Sequence, residues 1–209
     1  MTNPTLKLYS FPLSGHAHRI ELALSLLGLP FENRVVDLAQ GEHQQQWFLD
    51  MNPQGKVPVL VDGDAVITES TAILTYLAAK YDADGRWMPK EPAQQAAVQR
   101  YFAQASGPLA AGPARARLIT IFGAPFNQPE TIENAKAYLA DLEADLNGRN
   151  FLVGDAATFA DVAIYSYVAH APEGLVGLES YPNIQAWLQR VEALDGFVAM
   201  PKTEVTAAA

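Results

Sequence analysis

The sequence contains no cysteine. Its own residues therefore cannot build a disulfide, a thiolate nucleophile, a zinc–thiolate site or an iron–sulfur cluster, so any thiol chemistry must bring its sulfur in with a ligand. Basic residues are also few, because 14 Lys and Arg stand against 23 Asp and Glu and the net charge is −9. An acidic chain repels phosphate backbones and acidic lipid surfaces, which argues against a nucleic-acid or membrane partner.

Long apolar runs are missing as well. No stretch approaches the ~20 apolar residues of a membrane span, and residues 1–8 lack the apolar core of a signal peptide. We therefore expect a cytoplasmic protein. The composition is otherwise that of a folded chain, since 49% of the 209 residues are hydrophobic and 18% are charged, a balance that excludes disorder as the main state. The length allows one large or two small domains.

Strand and helix patterns alternate in the first 82 residues in the order β-α-β-α-β-β-α. The first βαβ unit predicts a parallel strand pair, and Asp62-Gly63-Asp64 is a turn signal that predicts a hairpin. The predicted strands cover residues 6–10, 31–36, 57–61 and 65–67, and the predicted helices cover 15–27, 69–81 and part of 41–50.

Asp, Gly and Pro recur between residues 82 and 92 as Asp82, Asp84, Gly85, Pro89 and Pro92, and they predict a linker over 83–91. Everything after it has helical patterning, so we divide the chain into an α/β domain over 1–82 and an all-helical domain over 92–209. Gly-Pro pairs at 107–108 and 112–113 predict a bend within the first long helical stretch.

Ser14 lies between the first predicted strand and the first predicted helix. Residues beyond the carboxyl end of a strand are the usual place for function in an α/β unit. The alternative is that Ser14 is a helix N-cap with no further role. The two roles are compatible, because a capping hydroxyl can also donate to an anion placed over the positive end of the helix.

Two further pairs suggest a ligand that resembles a peptide. A cis bond at Val57–Pro58 would leave the Val57 backbone free to pair with a peptide ligand, whereas the alternative is an ordinary proline that starts a strand. At the start of the next helix, Ser70 could hold a carboxylate through its hydroxyl and N–H, and Glu69 could hold an ammonium group. The alternative there is a plain helix cap at Thr68.

The run Asn52-Pro53-x-Gly55-x-Val57-Pro58, followed by Glu69-Ser70, resembles the cytosolic glutathione transferases, and the resemblance covers nearly the whole chain. It implies the glutathione transferase fold, a thioredoxin-like α/β N-terminal domain followed by an all-α C-terminal domain. It further implies that Pro58 is cis, that Val57 pairs with the cysteinyl backbone of glutathione, and that Glu69 and Ser70 hold the γ-glutamyl end.

Pro12-x-Ser14 with Arg19 is similar to the serine-type members of that family, such as the phi and theta classes. The resemblance implies that Ser14 activates the thiol of glutathione, with Ser10 as the less favoured alternative. It also implies that His43 and Lys56 lie near the glycyl carboxylate. Arg19 has two open interpretations, a role near the thiolate or a salt bridge to a nearby acid, for which Glu21, Glu32 and Asp37 are the candidates.

Two other features are assigned to structure or left without a role. His16 and His18 lie close to Ser14, but a third metal ligand is not visible, so we predict no metal site. Thr158 with Asp161 is a capping box with Asp in place of Glu or Gln. It begins the apolar helix predicted over 159–170, and we assign it to folding.

The predicted function is transfer of glutathione, as co-substrate, to a small hydrophobic electrophile. We expect the electrophile to bind in a cleft between the two domains. Open alternatives are a glutathione-dependent peroxidase, dehalogenase or isomerase, or a non-catalytic scaffold. The resemblance also implies a homodimer. The candidate residues of the electrophile pocket are Phe11, Leu13, Tyr101, Phe102 and Arg115.

Overall fold

The computed structural model describes residues 6–205. They form two compact units. The first unit extends to Gly85 and also includes Asp195–Met200, and the second contains Arg86–Leu194 and residues 201–205. Within the described residues, no helix combines the length and the hydrophobicity that crossing a membrane requires.

The first unit is a four-stranded mixed sheet with helices, in the order β2-β1-β3-β4. β1 is parallel to β2 and antiparallel to β3, and β3 is antiparallel to β4. The predicted element order and the parallel first pair are confirmed, as is the thioredoxin-like fold class. The elements are β1 (Leu6–Ser10), α1 (Gly15–Leu26), β2 (Phe31–Val35), a 3-10 turn (Glu42–Gln44), α2 (Gln46–Leu49), β3 (Val59–Asp62), β4 (Ala65–Thr68) and α3 (Ser70–Tyr81).

The core of this unit lies where α1 and α3 pack beside the sheet. Alternate residues of β1 are buried, as period-two alternation requires. Each fully buried Leu or Ile contributes about 1.5–3 kcal/mol relative to an exposed one, so the helix that follows Ser14 is firmly anchored. The core side chains include Leu6, Leu8, Ile20, Leu24, Ile73, Leu74 and Leu77, all with 0% exposure.

The segment Asp195–Met200 returns to α1. The His18 ring donates from Nε2 to the Val198 carbonyl at 2.9 Å, and the Ser25 hydroxyl donates to the Gly196 carbonyl at 2.6 Å. Our sequence analysis placed this segment in the helical domain. Local patterns do not reveal the contact, because the bonded residues are 180 and 171 positions apart in the chain.

The second unit is helical. Its elements are α4 (Pro92–Ser106), a π-helical turn (Ala110–Ala114), α5 (Arg115–Phe122), α6 (Gln128–Asp145), α7 (Phe159–Ala169), a 3-10 turn (Ala171–Gly174) and α8 (Pro182–Glu192). The bend predicted at the Gly-Pro pairs is the π-helical turn, which contains Pro113. Gly112 is required there, because a Cβ at this position would lie 2.7 Å from the Cα of Ala135 in α6.

The predicted capping box is present at the start of α7. The backbone N–H of Thr158 donates to Asp161 at 2.7 Å, and the Thr158 hydroxyl oxygen accepts from the Ala160 N–H at 3.2 Å. Asp161 also accepts from the Leu152 N–H at 3.0 Å and from the Trp187 indole at 2.8 Å. Asp161 therefore ties the residues before α7 to α8, in agreement with a role in folding.

Candidate functional site

Ser14 is the N-cap of α1, and its side chain is half-buried. Its Oγ accepts from the Ala17 N–H at 3.3 Å, while its own N–H donates to the Phe11 carbonyl at 2.9 Å. A hydroxyl that accepts a capping bond keeps its hydrogen for a second partner. Because the N-terminus of a helix carries a partial positive charge, Ser14 is suited to contact an anion.

Ser10, the alternative to Ser14, has a different environment. It ends β1, is only 3% exposed, and its hydroxyl donates to Asn33 Oδ1 at 2.6 Å. That hydrogen is therefore committed to a neighbouring strand. Of the two serines, it is Ser14 whose hydroxyl lies at the helix N-terminus.

The Val57–Pro58 peptide bond is cis, as the resemblance implied. The turn before it is held by Asn52, whose side chain donates to the Lys56 carbonyl at 2.7 Å. β3 begins at Val59, so Val57 lies outside the sheet. Among the loop hydrogen bonds of residues 6–205, none uses the N–H or the carbonyl of Val57, and both groups are available to a peptide ligand.

The N-terminus of α3 is shaped by an unusual backbone conformation. Glu69 has φ 66° and ψ 117°, a region that costs a residue with a side chain about 1–3 kcal/mol and clusters at functional sites. Thr68 ends β4 instead of capping α3, and within the described residues no side chain caps this helix. The cap interpretation was therefore wrong, and the first N–H groups of α3 remain available to an anion.

Arg19 connects the starts of α1 and α3. Its side chain is fully buried, and its Nη1 donates to His16 Nδ1 at 2.8 Å and to Ser70 Oγ at 3.1 Å. His16 Nδ1 lies 3.4 Å from the same Ser70 oxygen. Both acceptors of Nη1 are neutral, and Glu21, Glu32 and Asp37, the acids considered from sequence, are not among them. These contacts bring the first turn of α1, which follows Ser14, against the first residue of α3.

His16 is neutral in this arrangement. Burial and, to a lesser extent, the positive charges of Arg19 and Lys56 together lower its pKa from 6.5 to about 3. Since Nδ1 accepts a hydrogen bond from Arg19, the ring proton of the neutral form is on Nε2. Sequence reasoning considered His16 only as a metal ligand. The signal that could have identified its role is its i, i+3 spacing to Arg19, which places both on one helix face.

Acid is expected to destabilise the protein in part through His16. Because the pKa of His16 is lower in the folded chain than in the unfolded chain, its contribution to stability is complete above pH ~6.5 and is lost as the pH falls toward about 3. The melting temperature should therefore fall less steeply between pH 7 and pH 4 in His16→Asn, which does not titrate, than in the wild type. Equal slopes would contradict the lowered pKa.

Gly55, which precedes Lys56 in the chain, packs against His43. A Cβ added at Gly55 would be 3.2 Å from the His43 carbonyl oxygen, and Gly55 has φ 61°, so this approach requires glycine. The His43 Nδ1 is buried and has no partner among the described residues.

The candidate pocket residues are placed as follows. Phe11 and Leu13 are half-buried in the first unit. In the second unit, Tyr101 and Phe102 are buried, and the Arg115 guanidinium lies 4.6 Å from the Phe126 ring centre. Among residues 6–205 no group of three or more His, Asp or Glu side chains is arranged to hold a metal ion.

Comparison with known proteins gives consistent matches along the chain. Residues 4–79 match the family described as glutathione S-transferase, N-terminal domain, and residues 118–195 match glutathione S-transferase, C-terminal domain. Human glutathione S-transferase theta-1 is 33% identical over 201 residues, which cover 91% of this chain and 84% of the human protein.

Solved structures agree with the sequence matches. A glutathione S-transferase from Pseudomonas fluorescens superposes with a TM-score of 0.88 at 33% identity, covering 94% of this chain and 99% of that protein. A glutathione transferase homologue from Drosophila mojavensis, solved with bound glutathione, has a TM-score of 0.84 at 30% identity and covers 91% and 89% of the two chains. With these matches and the geometry around Ser14, the chain belongs to the glutathione S-transferase family.

Proposed function

We propose that this protein is a glutathione transferase in which Ser14 stabilises the thiolate of glutathione for attack on a small hydrophobic electrophile. The observation that carries the proposal is the Ser14 hydroxyl at the N-terminus of α1. Because its oxygen accepts from the Ala17 N–H at 3.3 Å, its hydrogen is free to be donated to sulfur.

The energy required is within reach of these groups. A free thiol has a pKa of about 8.5, so only a few per cent is thiolate at neutral pH. Lowering that pKa by ~2 units needs about 2.7 kcal/mol. A hydrogen bond to a charged acceptor supplies ~1.5–3 kcal/mol and a helix terminus ~0.3–1 kcal/mol. Ser14 therefore acts as a donor and never has to lose its own proton.

The reaction is a nucleophilic attack by sulfur. The thiol proton leaves to solvent, and the thiolate forms a carbon–sulfur bond with the electrophilic carbon. The leaving group departs with the electron pair of the bond that breaks. Where sulfur instead adds to an activated double bond, the neighbouring carbon receives the electron pair and takes a proton from solvent. Since the chain has no cysteine, glutathione is the source of the nucleophile.

Glutathione is held along its whole length in this proposal. The Val57 backbone pairs with the cysteinyl residue beside cis-Pro58. The Ser70 hydroxyl and the free N–H groups of α3 hold the γ-glutamyl carboxylate, and Glu69 holds the ammonium group. The glycyl carboxylate lies near His43 and Lys56. The homodimer and the electrophile pocket formed by Phe11, Leu13, Tyr101, Phe102 and Arg115 stay predictions.

Calorimetric titration with reduced glutathione, combined with thiolate absorbance against pH, tests the proposal. We expect binding, and a thiol pKa at least ~1–2 units below the free value of about 8.5, because Ser14 and the α1 terminus favour the ionised form. S-methylglutathione is the matched control, since it should bind and show no thiolate absorbance. Absence of binding at millimolar glutathione would overturn the proposal and favour a scaffold.

A further inference from the structure

The contact between His16 and Arg19 is unusual in its choice of acceptor. A buried guanidinium is always charged and is commonly directed by a carboxylate. Here the Nη1 of Arg19 donates to the His16 ring at 2.8 Å and to the Ser70 hydroxyl at 3.1 Å, and both acceptors are neutral. The imidazole therefore fixes the direction of this nitrogen without placing a negative charge next to Ser70.

The hydrogen bond from Arg19 also orients Ser70. Because the Ser70 oxygen accepts from Arg19, its hydroxyl hydrogen points away from the guanidinium. Its partner in the structure is His16 Nδ1 at 3.4 Å, a long contact that a carboxylate can replace, and the nearby positive charge makes the hydroxyl a stronger donor. Ser70 is 6% exposed and is the first residue of α3, a helix that within the described residues has no side-chain cap. The hydroxyl hydrogen of Ser70, the N-terminus of α3 and the positive charge of Arg19 thus all attract an anion bound at this point.

We propose that His16 is a positioning residue for the γ-glutamyl carboxylate of glutathione: as a neutral acceptor it holds Arg19 against Ser70 and preserves the positive potential that attracts the carboxylate. This inference rests on the proposed function. A carboxylate at position 16 would hold Arg19 equally well but would cancel part of that potential. An apolar residue would leave the potential but would release Arg19 from its present direction.

Three substitutions separate these effects. His16→Asn offers a neutral oxygen close to the position of Nδ1, His16→Asp has the same shape and adds a charge, and His16→Leu removes the acceptor. Calorimetry with S-methylglutathione gives the affinity without interference from the thiolate. We expect the Asn variant to bind within ~3-fold of the wild type. The Asp and Leu variants should each bind at least ~10-fold more weakly. This loss of affinity corresponds to the free energy of one hydrogen bond to a charged group.

Two further measurements distinguish positioning from a general structural role. In turnover assays the loss should fall mainly on KM for glutathione, with a much smaller effect on kcat, because Ser14 is untouched. A glutathione analogue that lacks the γ-glutamyl carboxylate should bind the Asn and Asp variants equally. Melting temperatures verify that each variant is folded, and the Asn and Asp variants remain comparable even where the Leu variant is unstable.

The outcomes separate the inference from the function on which it rests. If the wild type fails to bind S-methylglutathione and glutathione, the proposed function is wrong. If the wild type binds and the Asp variant binds as tightly, the charge at position 16 is irrelevant and the inference is wrong. It is equally wrong if the Asn variant binds as weakly as the Leu variant, or if the penalty of the Asp variant persists with the analogue.

Discussion

Replacing Ser14 with Ala is expected to lower turnover with a chloro-nitroaromatic test electrophile by roughly 3- to 25-fold at pH 7. The substitution removes one hydrogen bond to a charged acceptor, worth ~1.5–3 kcal/mol. The pKa of the bound thiol should then rise by ~1–2 units, and the thiolate fraction at neutral pH falls in proportion. The affinity for glutathione should change little, because Ser70 and Val57 are untouched.

The pH profile is the most direct measurement of this effect. If Ser14 acts on the thiol pKa, the rising limb of kcat/KM in Ser14→Ala should move to higher pH by the same ~1–2 units. The variant should therefore regain most of its activity near pH 9, where the thiol ionises without assistance. A uniform loss at every pH would mean that Ser14 acts in some other way, and an unchanged profile would remove it from the mechanism.

Two control variants account for the capping role of Ser14. Loss of the cap alone costs about 1 kcal/mol of stability. Ser14→Asp restores a good N-cap but places a negative charge beside the sulfur, so it should be stable and nearly inactive. Ser10→Ala removes a buried hydroxyl that is bonded to Asn33. The Ser10→Ala variant should be less stable than the wild type, and its pH profile of turnover should be unchanged.

Replacing Asp161 with Ala is expected to cost about 3–5 kcal/mol of unfolding free energy, because three buried N–H donors would lose their acceptor. The carboxylate is 0% exposed. It accepts from two backbone N–H groups and the Trp187 indole, and each donor left unsatisfied costs about 1–3 kcal/mol. Urea unfolding followed by circular dichroism measures the change.

Variants with smaller expected losses of stability keep this prediction testable if Asp161→Ala fails to fold. Thr158→Ala removes only the capping hydroxyl and should cost about 1 kcal/mol. Asp141→Ala is the matched control, since Asp141 is exposed on α6 and should change stability by no more than ~0.5 kcal/mol. A cost for Asp161→Ala as small as that of Asp141→Ala would contradict the role of Asp161 in joining the α7 start to α8.

Much of the fold could be predicted because its signals are local. The alternation of β1, the turn at Asp62-Gly63-Asp64 and the box at Thr158 and Asp161 each depend on residues a few positions apart. The return of Asp195–Met200 to α1 has no such signal, since its partners were 180 and 171 residues earlier. The π-helical turn was expected only as a bend, because the approach of Ala135 to Gly112 depends on tertiary packing.

The residues of the site also divide into those that local sequence signals predict and those that depend on tertiary packing. Ser14 and Val57–Pro58 follow from short motifs, and the structure gives them the expected cap and the expected cis bond. The partners of Arg19 could not be chosen from sequence, because several acids were close enough in the chain and nothing local favours a neutral histidine. The left-handed Glu69 was also unexpected, since a Glu carries no sequence signal for positive φ.

The return of Asp195–Met200 has a consequence for protein engineering. The half of the molecule that carries Ser14 is not encoded by one continuous stretch of the gene. A chimera that joins residues 1–85 to a helical domain from another transferase would deprive His18 and Ser25 of the carbonyls of Val198 and Gly196. A graft designed to exchange electrophile specificity should therefore keep this native six-residue peptide and place its crossovers at Gly85, Leu194 and Met200.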